Sequence, residues 1–172
     1  MKKFLFVFIF CALFGAFDAL AAVREYNIKQ TKACQDGLLC DLDGNLVSGV
    51  VKEYDKNENL KSEIGYFKGR KNGDAKTYYT NGNMKSEGQY VYGAKVGKTK
   101  KYYENGILMA ELVYKNGLKN GTTKVYYENG ELKAEILFKN GKALSGDIYE
   151  EDGRKMKMTN AHLHSADMGK LP

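Results

Sequence analysis

A 24-residue period governs this chain. Gly49, Gly73, Gly97 and Gly121 are evenly spaced, and the residues between them recur in register. Third after each glycine stand Lys52, Lys76, Lys100 and Lys124, and fifth stand Tyr54, Tyr78, Tyr102 and Tyr126. Asn57, Asn81, Asn105 and Asn129 follow, then Leu60, Met84, Leu108 and Leu132, then Glu63, Glu87, Glu111 and Glu135. Tyr66, Tyr90, Tyr114 and Phe138 close the units, three residues before Gly69, Gly93, Gly117 and Gly141. Four copies in one register require a repeat architecture, in which each unit buries its apolar side with the help of its neighbours.

Each unit holds two strand-length segments rich in Tyr, Thr, Ile and Val. Asn81-Gly82, Asn105-Gly106 and Asn129-Gly130 break them, and Asn-Gly is the strongest short hairpin signal because a type I′ turn needs positive φ at both central residues. A second turn, Lys-Asn-Gly or its like, joins each hairpin to the next. The only proline is Pro172, so nothing interrupts strand pairing. The expected fold is all-β: an open antiparallel meander of repeated hairpins forming one elongated, twisted sheet.

A two-residue Asn-Gly loop sets a register. It places Tyr79, Tyr103 and Tyr127 opposite Met84, Leu108 and Leu132, and Val125 opposite Ala134. Thr99 then meets Leu112 and Thr123 meets Ile136, so one face is apolar and aromatic. The alternate positions pair Lys76 with Glu87, Lys100 with Glu111 and Lys124 with Glu135, beside the Tyr78, Tyr102, Tyr126 column. Burying a Tyr, Leu or Ile contributes roughly 1.5–3 kcal/mol, against about 0.2–1 kcal/mol for a cross-strand ion pair. The apolar face therefore holds the sheet and must be covered, by curling or by another chain, which makes self-association through it one expectation.

The ends depart from the pattern. Unit one has Asp55 where a second tyrosine is expected and Glu58 where the turn glycine is expected, as suits a terminal unit with one side in solvent. Residues 146–172 read as a shortened fifth unit with its turn at Asp152-Gly153, then an aperiodic tail expected to fray. At the start, Lys2 and Lys3 precede the uncharged run Phe4 to Phe17, and Ala19-Leu20-Ala21 supplies a small-x-small cleavage site. Residues 1–21 read as a cleaved secretory signal. The protein is then expected to be exported, to the periplasm, the cell surface or the medium. Residues 22–48 form a lead-in with Cys34 and Cys40, which in an oxidising compartment are expected to form a disulfide. The four repeats fill 49–145.

The net charge of +6 falls to +5 once Lys2, Lys3 and Asp18 are removed, and it is spread along the chain. Nucleic-acid binding therefore has little support. Asp41-Leu42-Asp43-Gly44-Asn45 begins like a calcium loop, but Leu46 and Lys52 occupy the positions that need glycine and glutamate, so a hairpin turn is the reading. His162 and His164 read as solvated tail residues, and no metal or cofactor is expected. The glutamate column has lysine neighbours throughout, without the contrasting environments that acid–base pairs need, so no catalytic residue is assigned.

The segment 126–142, Tyr-Tyr-Glu-Asn-Gly-Glu-Leu-Lys-Ala-Glu-Ile-Leu-Phe-Lys-Asn-Gly-Lys, resembles the MORN-variant repeat almost throughout, and the resemblance extends over about 49–159. It implies a contact module for proteins or membranes. It is also similar to the YwqK-type antitoxin group, which implies neutralisation of a toxin by direct binding. The resulting expectation is an exported module that binds another protein or an envelope surface without catalysis, with an immunity protein as the alternative. The residues expected to meet the partner are Tyr78, Tyr102 and Tyr126 with Lys76, Lys100 and Lys124, because tyrosine adds contact area at low entropic cost.

Overall fold

The structure is a computed structural model that describes residues 23–167. The secretory signal assigned to 1–21 lies outside the described residues. The lead-in forms β1 (Glu25–Asn27), β2 (Thr31–Ala33) and β3 (Leu39–Asp41). The repeats supply β4 (Gly49–Tyr54), β5 (Leu60–Phe67), β6 (Arg70–Tyr78), β7 (Met84–Val91), β8 (Ala94–Tyr102) and β9 (Leu108–Lys115). They continue through β10 (Leu118–Lys119), β11 (Gly121–Tyr126), β12 (Leu132–Lys139) and β13 (Lys142–Tyr149). Then come β14 (Lys155–Lys157) and a helix, α1 (Asn160–Asp167).

From β4 onward the sheet is the expected antiparallel meander, with the short β10 and then β11 both pairing with β9, and the described residues build one sheet of 12 strands beside a two-stranded one. Its first edge differs: β1 lies parallel to β4, with Glu25 beside Val50. β2 and β3 form a separate two-stranded ribbon. A 3-10 turn at Gln35–Gly37 precedes β3, and Cys34 and Cys40 are joined by a disulfide across a Cα separation of 5.8 Å.

Two kinds of turn alternate, and their assignment is the reverse of what the Asn-Gly steps suggest. In Tyr103–Ile107 the Tyr103 N–H donates to the Ile107 carbonyl (2.8 Å) and the Gly106 N–H to the Tyr103 carbonyl (2.9 Å). Only Gly106 takes positive φ (87°) there. This is a three-residue loop ending in a glycine bulge. Asn105 serves through its side chain, whose Oδ1 accepts the Ile107 N–H at 3.0 Å. The type I′ turns are at the other end of the strands: Lys68-Gly69, Tyr92-Gly93, Asn116-Gly117 and Asn140-Gly141 have positive φ at both residues. The bulge corrects the register by one residue beside the wide turns. Tyr78, Tyr102 and Tyr126, not their successors, pair with Met84, Leu108 and Leu132. Beyond the bulge the expected pairs hold, including Thr99–Leu112, Thr123–Ile136 and Lys100–Glu111.

As far as Asp167, the last described residue, the tail is folded against the sheet. Residue 158 donates back to the Gly146 carbonyl, and α1 then folds over the last hairpins. Ala166 joins Val125, Ala134, Ile136 and Phe138 in a buried cluster flanked by Ala143, Met158 and Leu163. At this end the apolar face is therefore covered by the chain itself. Nearer the tight turns that face also carries lysines: Lys95 lies over the rings of Tyr90 and Tyr114, and Lys119 is 4.5 Å from the Phe138 ring centre.

Glu58 occupies the glycine position of its wide turn at φ 65°, a conformation that costs L-residues about 1–2 kcal/mol. Part of that gain is offset by the greater freedom of glycine in the unfolded chain. Glu58→Gly should therefore raise stability by about 0.5–1 kcal/mol in chemical denaturation, and Gly106→Ala should lower it.

Candidate functional site: the charged face and the two turn edges

The charged face is one row of alternating sign. Lys52 pairs with Glu63, Glu63 with Lys76, Lys76 with Glu87 and Glu87 with Lys100. Lys100 pairs with Glu111, Glu111 with Lys124 and Lys124 with Glu135. The period is what produces this: each hairpin brings one lysine and one glutamate to the same level, so every inner charge has an opposite charge on both sides. The expected lysine–glutamate mates are thus neighbours, but they are not exclusive ones. Lys76 reaches back to Glu63 (3.5 Å) and Lys100 to Glu87 (3.7 Å), whereas Lys124 contacts Glu135 at 3.2 Å. Glu111 is taken by Lys98 at 2.7 Å, whose hydrogen bond holds the carboxyl below its ordinary pKa against the opposing effect of burial. The row ends where Glu135 faces Asp147, a like-charge pair that Lys155 and Lys157 relieve by binding Asp147 at 3.0 and 2.8 Å.

The residues expected to meet a partner lie in or beside this row. Tyr78, Tyr102 and Tyr126 are half-buried, as are Lys76 and Lys124, while Lys100 is likewise partly covered. The Tyr78 hydroxyl donates to Glu63 and the Tyr102 hydroxyl to Glu87, both at 2.7 Å. Burial, and then these carboxylate bonds, push both phenols up to about 12. The second tyrosine of each pair joins repeats through the backbone. Tyr79 donates to the Tyr102 carbonyl, Tyr103 to the Tyr126 carbonyl and Tyr127 to the Tyr149 carbonyl, at 2.8, 2.8 and 2.9 Å. Both columns therefore have internal work, one bonded to the preceding unit and one to the following unit.

The two ends of the strands differ in charge. Along the tight turns, segments 66–72, 90–96, 114–120 and 138–144 contain no Asp or Glu. They carry Lys68, Arg70 and Lys71 at the first turn, Lys95 at the second, Lys115 and Lys119 at the third, and Lys139 and Lys142 at the fourth. The wide turns instead carry Asp55, Glu58, Glu104, Glu128, Glu131 and the run Glu150-Glu151-Asp152. The tight turns form a continuous edge: Gly69, Gly93, Gly117 and Gly141 each donate an N–H to the carbonyl of Val47, Lys71, Lys95 or Lys119 at 2.7–2.8 Å. Phe67, Val91, Tyr92 and Leu118 stand exposed on it. The partner residues named from sequence do not include this edge. Its signal was present all the same: a tyrosine at the position where the later repeats place asparagine, and acidic residues confined to the other kind of turn.

The MORN repeat variant model matches the chain four times, at 47–68, 71–92, 95–116 and 119–140. The first residues of these matches are the ones whose carbonyls accept the turn glycines, so the family's unit begins where one tight turn rests on the next. The chain belongs to the MORN repeat variant family, whose repeats are binding modules toward proteins or membranes. No curated protein matches the chain.

Two outcomes test this geometry. Exchanging the charges in K100E/E111K keeps one pair but sets glutamate beside Glu87 and lysine beside Lys124, so the double variant should lie about 1 kcal/mol below the parent in denaturant titration. The raised pKa values of Tyr78 and Tyr102 mean that the folded state holds protons the unfolded chain has already lost. Their contribution is complete below about pH 10 and disappears as pH rises toward 12. Alkaline unfolding should be less steep in the Tyr78→Phe/Tyr102→Phe variant, in which neither position titrates.

Proposed function

We propose that this protein is an exported, non-catalytic module that presents its charged, tyrosine-bearing face to another protein or to an envelope surface. The observation that supports this reading is the rigid periodic row itself. Tyr78, Tyr102 and Tyr126 recur at one level of a continuous sheet, separated by lysines that remain partly solvent-exposed. A row of this kind suits an extended partner contacted at several equivalent points, where weak contacts add because the sheet fixes their spacing. The leading segment supports export through Lys2, Lys3, the apolar run and Ala19-Leu20-Ala21. A toxin neutralised by direct binding would be one such partner, and an immunity role is the alternative, distinguished by a toxin that co-purifies with the chain.

The test uses affinity capture from the native envelope fraction with the parent and with the triple variant Tyr78→Phe, Tyr102→Phe, Tyr126→Phe combined with Lys76→Gln and Lys100→Gln. The variant retains the rings and should keep its β signature in circular dichroism. Partner recovery should fall at least tenfold, since each lost polar contact at an interface is worth about 1 kcal/mol or more. Unchanged recovery from a folded variant would move binding off this face. An N-terminus at residue 22 in the captured protein, read by mass spectrometry, would support cleavage after Ala21.

A further inference from the structure

We propose that the Asn116-Gly117 step of the third tight turn is a site of deamidation, and that its isoaspartyl product unfastens this turn from the second. The chain contains seven Asn-Gly steps, and six of their asparagines have a tethered carboxamide. In the wide turns Asn81, Asn105 and Asn129 accept the N–H two residues on, at 2.9, 3.0 and 2.9 Å. Asn72 accepts the Tyr92 N–H at 3.2 Å, and Asn120 donates to Asn140 at 3.2 Å. Asn116 alone of the seven has no side-chain hydrogen bond among the described residues, and it is exposed. Nothing lies within 4 Å of where a Cβ on Gly117 would stand, so the groups beside it have room to turn.

Free rotation of that carboxamide is what the reaction requires. The Gly117 backbone nitrogen, once hydroxide has taken its proton, attacks Asn116 Cγ. The N–Cγ bond forms, the Cγ–Nδ2 bond breaks, and Nδ2 leaves as ammonia. Water then opens the cyclic imide at either carbonyl, giving aspartate or isoaspartate, and no oxidant or further reactant is needed. A glycine in the second position favours the attack, because no Cβ shields its nitrogen. The Gly117 N–H is donated to the Lys95 carbonyl at 2.8 Å, but Gly82, Gly106, Gly130 and Gly141 donate theirs at 2.8–3.0 Å, so that bond does not separate the steps. The side chain does. A carboxamide tied to another group must break that bond before Cγ can meet the glycine nitrogen. The two products then differ in their effect. Aspartate, like asparagine, tolerates the left-handed region that Asn116 occupies at φ 51°. Isoaspartate carries the main chain through the side chain and so lengthens, by one CH2, the two-residue turn that closes the Lys115–Leu118 pair. The extra carbon draws the Gly117 N–H away from the Lys95 carbonyl, the bond that stacks the third turn on the second. Either product places a carboxylate in segment 114–120, which holds Lys115 and Lys119 but no acidic residue. None of this depends on what the module binds.

The test follows the full chain, as isolated from expressing cells, through incubation in mildly alkaline buffer, with peptide mapping by mass spectrometry. Conversion should occur first at Asn116, about fivefold faster than at the next step, the factor that one side-chain hydrogen bond contributes. In strong denaturant the seven steps should react at similar rates, because they share one dipeptide and none keeps its bonds. Asn116→Asp separates the new charge from the extra carbon. That variant should melt close to the parent, whereas chain carrying isoaspartate at this step alone should melt several degrees lower. First conversion at another step overturns the proposal, as does a folded chain that converts nowhere while the denatured chain reacts. The same preference for Asn116 in denaturant overturns it too, since the sequence neighbours and not the fold would then select the step. An isoaspartyl chain that melts like the parent, or an Asn116→Asp chain that melts as low as the isoaspartyl one, overturns the unfastening of the turn.

Discussion

Positive φ at a few backbone positions is the constraint from which the rest of this sheet follows. A meander can be compact only if the chain reverses within a few residues at both ends of every strand, and each reversal needs residues in the left-handed region. The wide turn needs one such residue, supplied by Gly82, Gly106 or Gly130, and the tight turn needs two in succession. Once those positions are satisfied, each reversal begins and ends at the same residue of its unit, so every strand enters the sheet at the same level. The lysine–glutamate row, the tyrosine columns and the stacked turn edge are consequences of that shared level. The period is 24 residues because two strands and two turns of different length must repeat as a whole.

The parts of this arrangement that depend on a period of two were legible from sequence. Alternation along a strand separates Lys100 from Thr99 and Glu111 from Leu112 however the turn is made, and these pairs appear as expected. Legibility ended at the bulge. A two-residue and a three-residue loop are both compatible with Asn-Gly, and they differ by one residue in what faces Leu108, so the partner of the tyrosine pair was misplaced by one. Asn105 does not supply positive φ there; its side chain closes the turn instead. The tail escaped for another reason. Eight residues with two histidines carry little amphipathic signal, and what holds the helix is Phe138 and Ile136, which lie more than twenty residues earlier. A contact of that kind is written in the partner's exposure, which only the folded sheet reveals.

The tyrosines show how one residue type serves two directions in a repeat. Tyr102 leans back to Glu87 of the preceding unit, while Tyr103 leans forward to the carbonyl of Tyr126. Tyr102 ends its strand and Tyr103 opens the wide turn, so the tyrosine pair joins a unit to both neighbours at once. Unit one lacks the forward tyrosine, and there Asp55 turns inward to bond Asn57 and Asn59 of its own loop. The substitution is consistent with position, because the atypical unit lies where the repeats meet the lead-in. Asp41 and Asn45 repeat the same closure within the lead-in.

Charge separates in the same way that the turns do, and this gives the sheet a polarity that its faces lack. The charged face is neutralised along its length, since every inner lysine lies between two glutamates, so a partner meeting it finds a surface of alternating sign whose strongest groups are already engaged. The tight-turn edge has no acidic residue in its segments, whereas at the last wide turn Arg154 pairs with Asp152. Lysine and arginine gather where the turns are tight, and carboxylates gather where they are wide. Long-range attraction therefore acts on the edges, and short-range complementarity acts on the face. The edges and the face of the sheet therefore differ in the kind of attraction each can exert, although one 24-residue period places both.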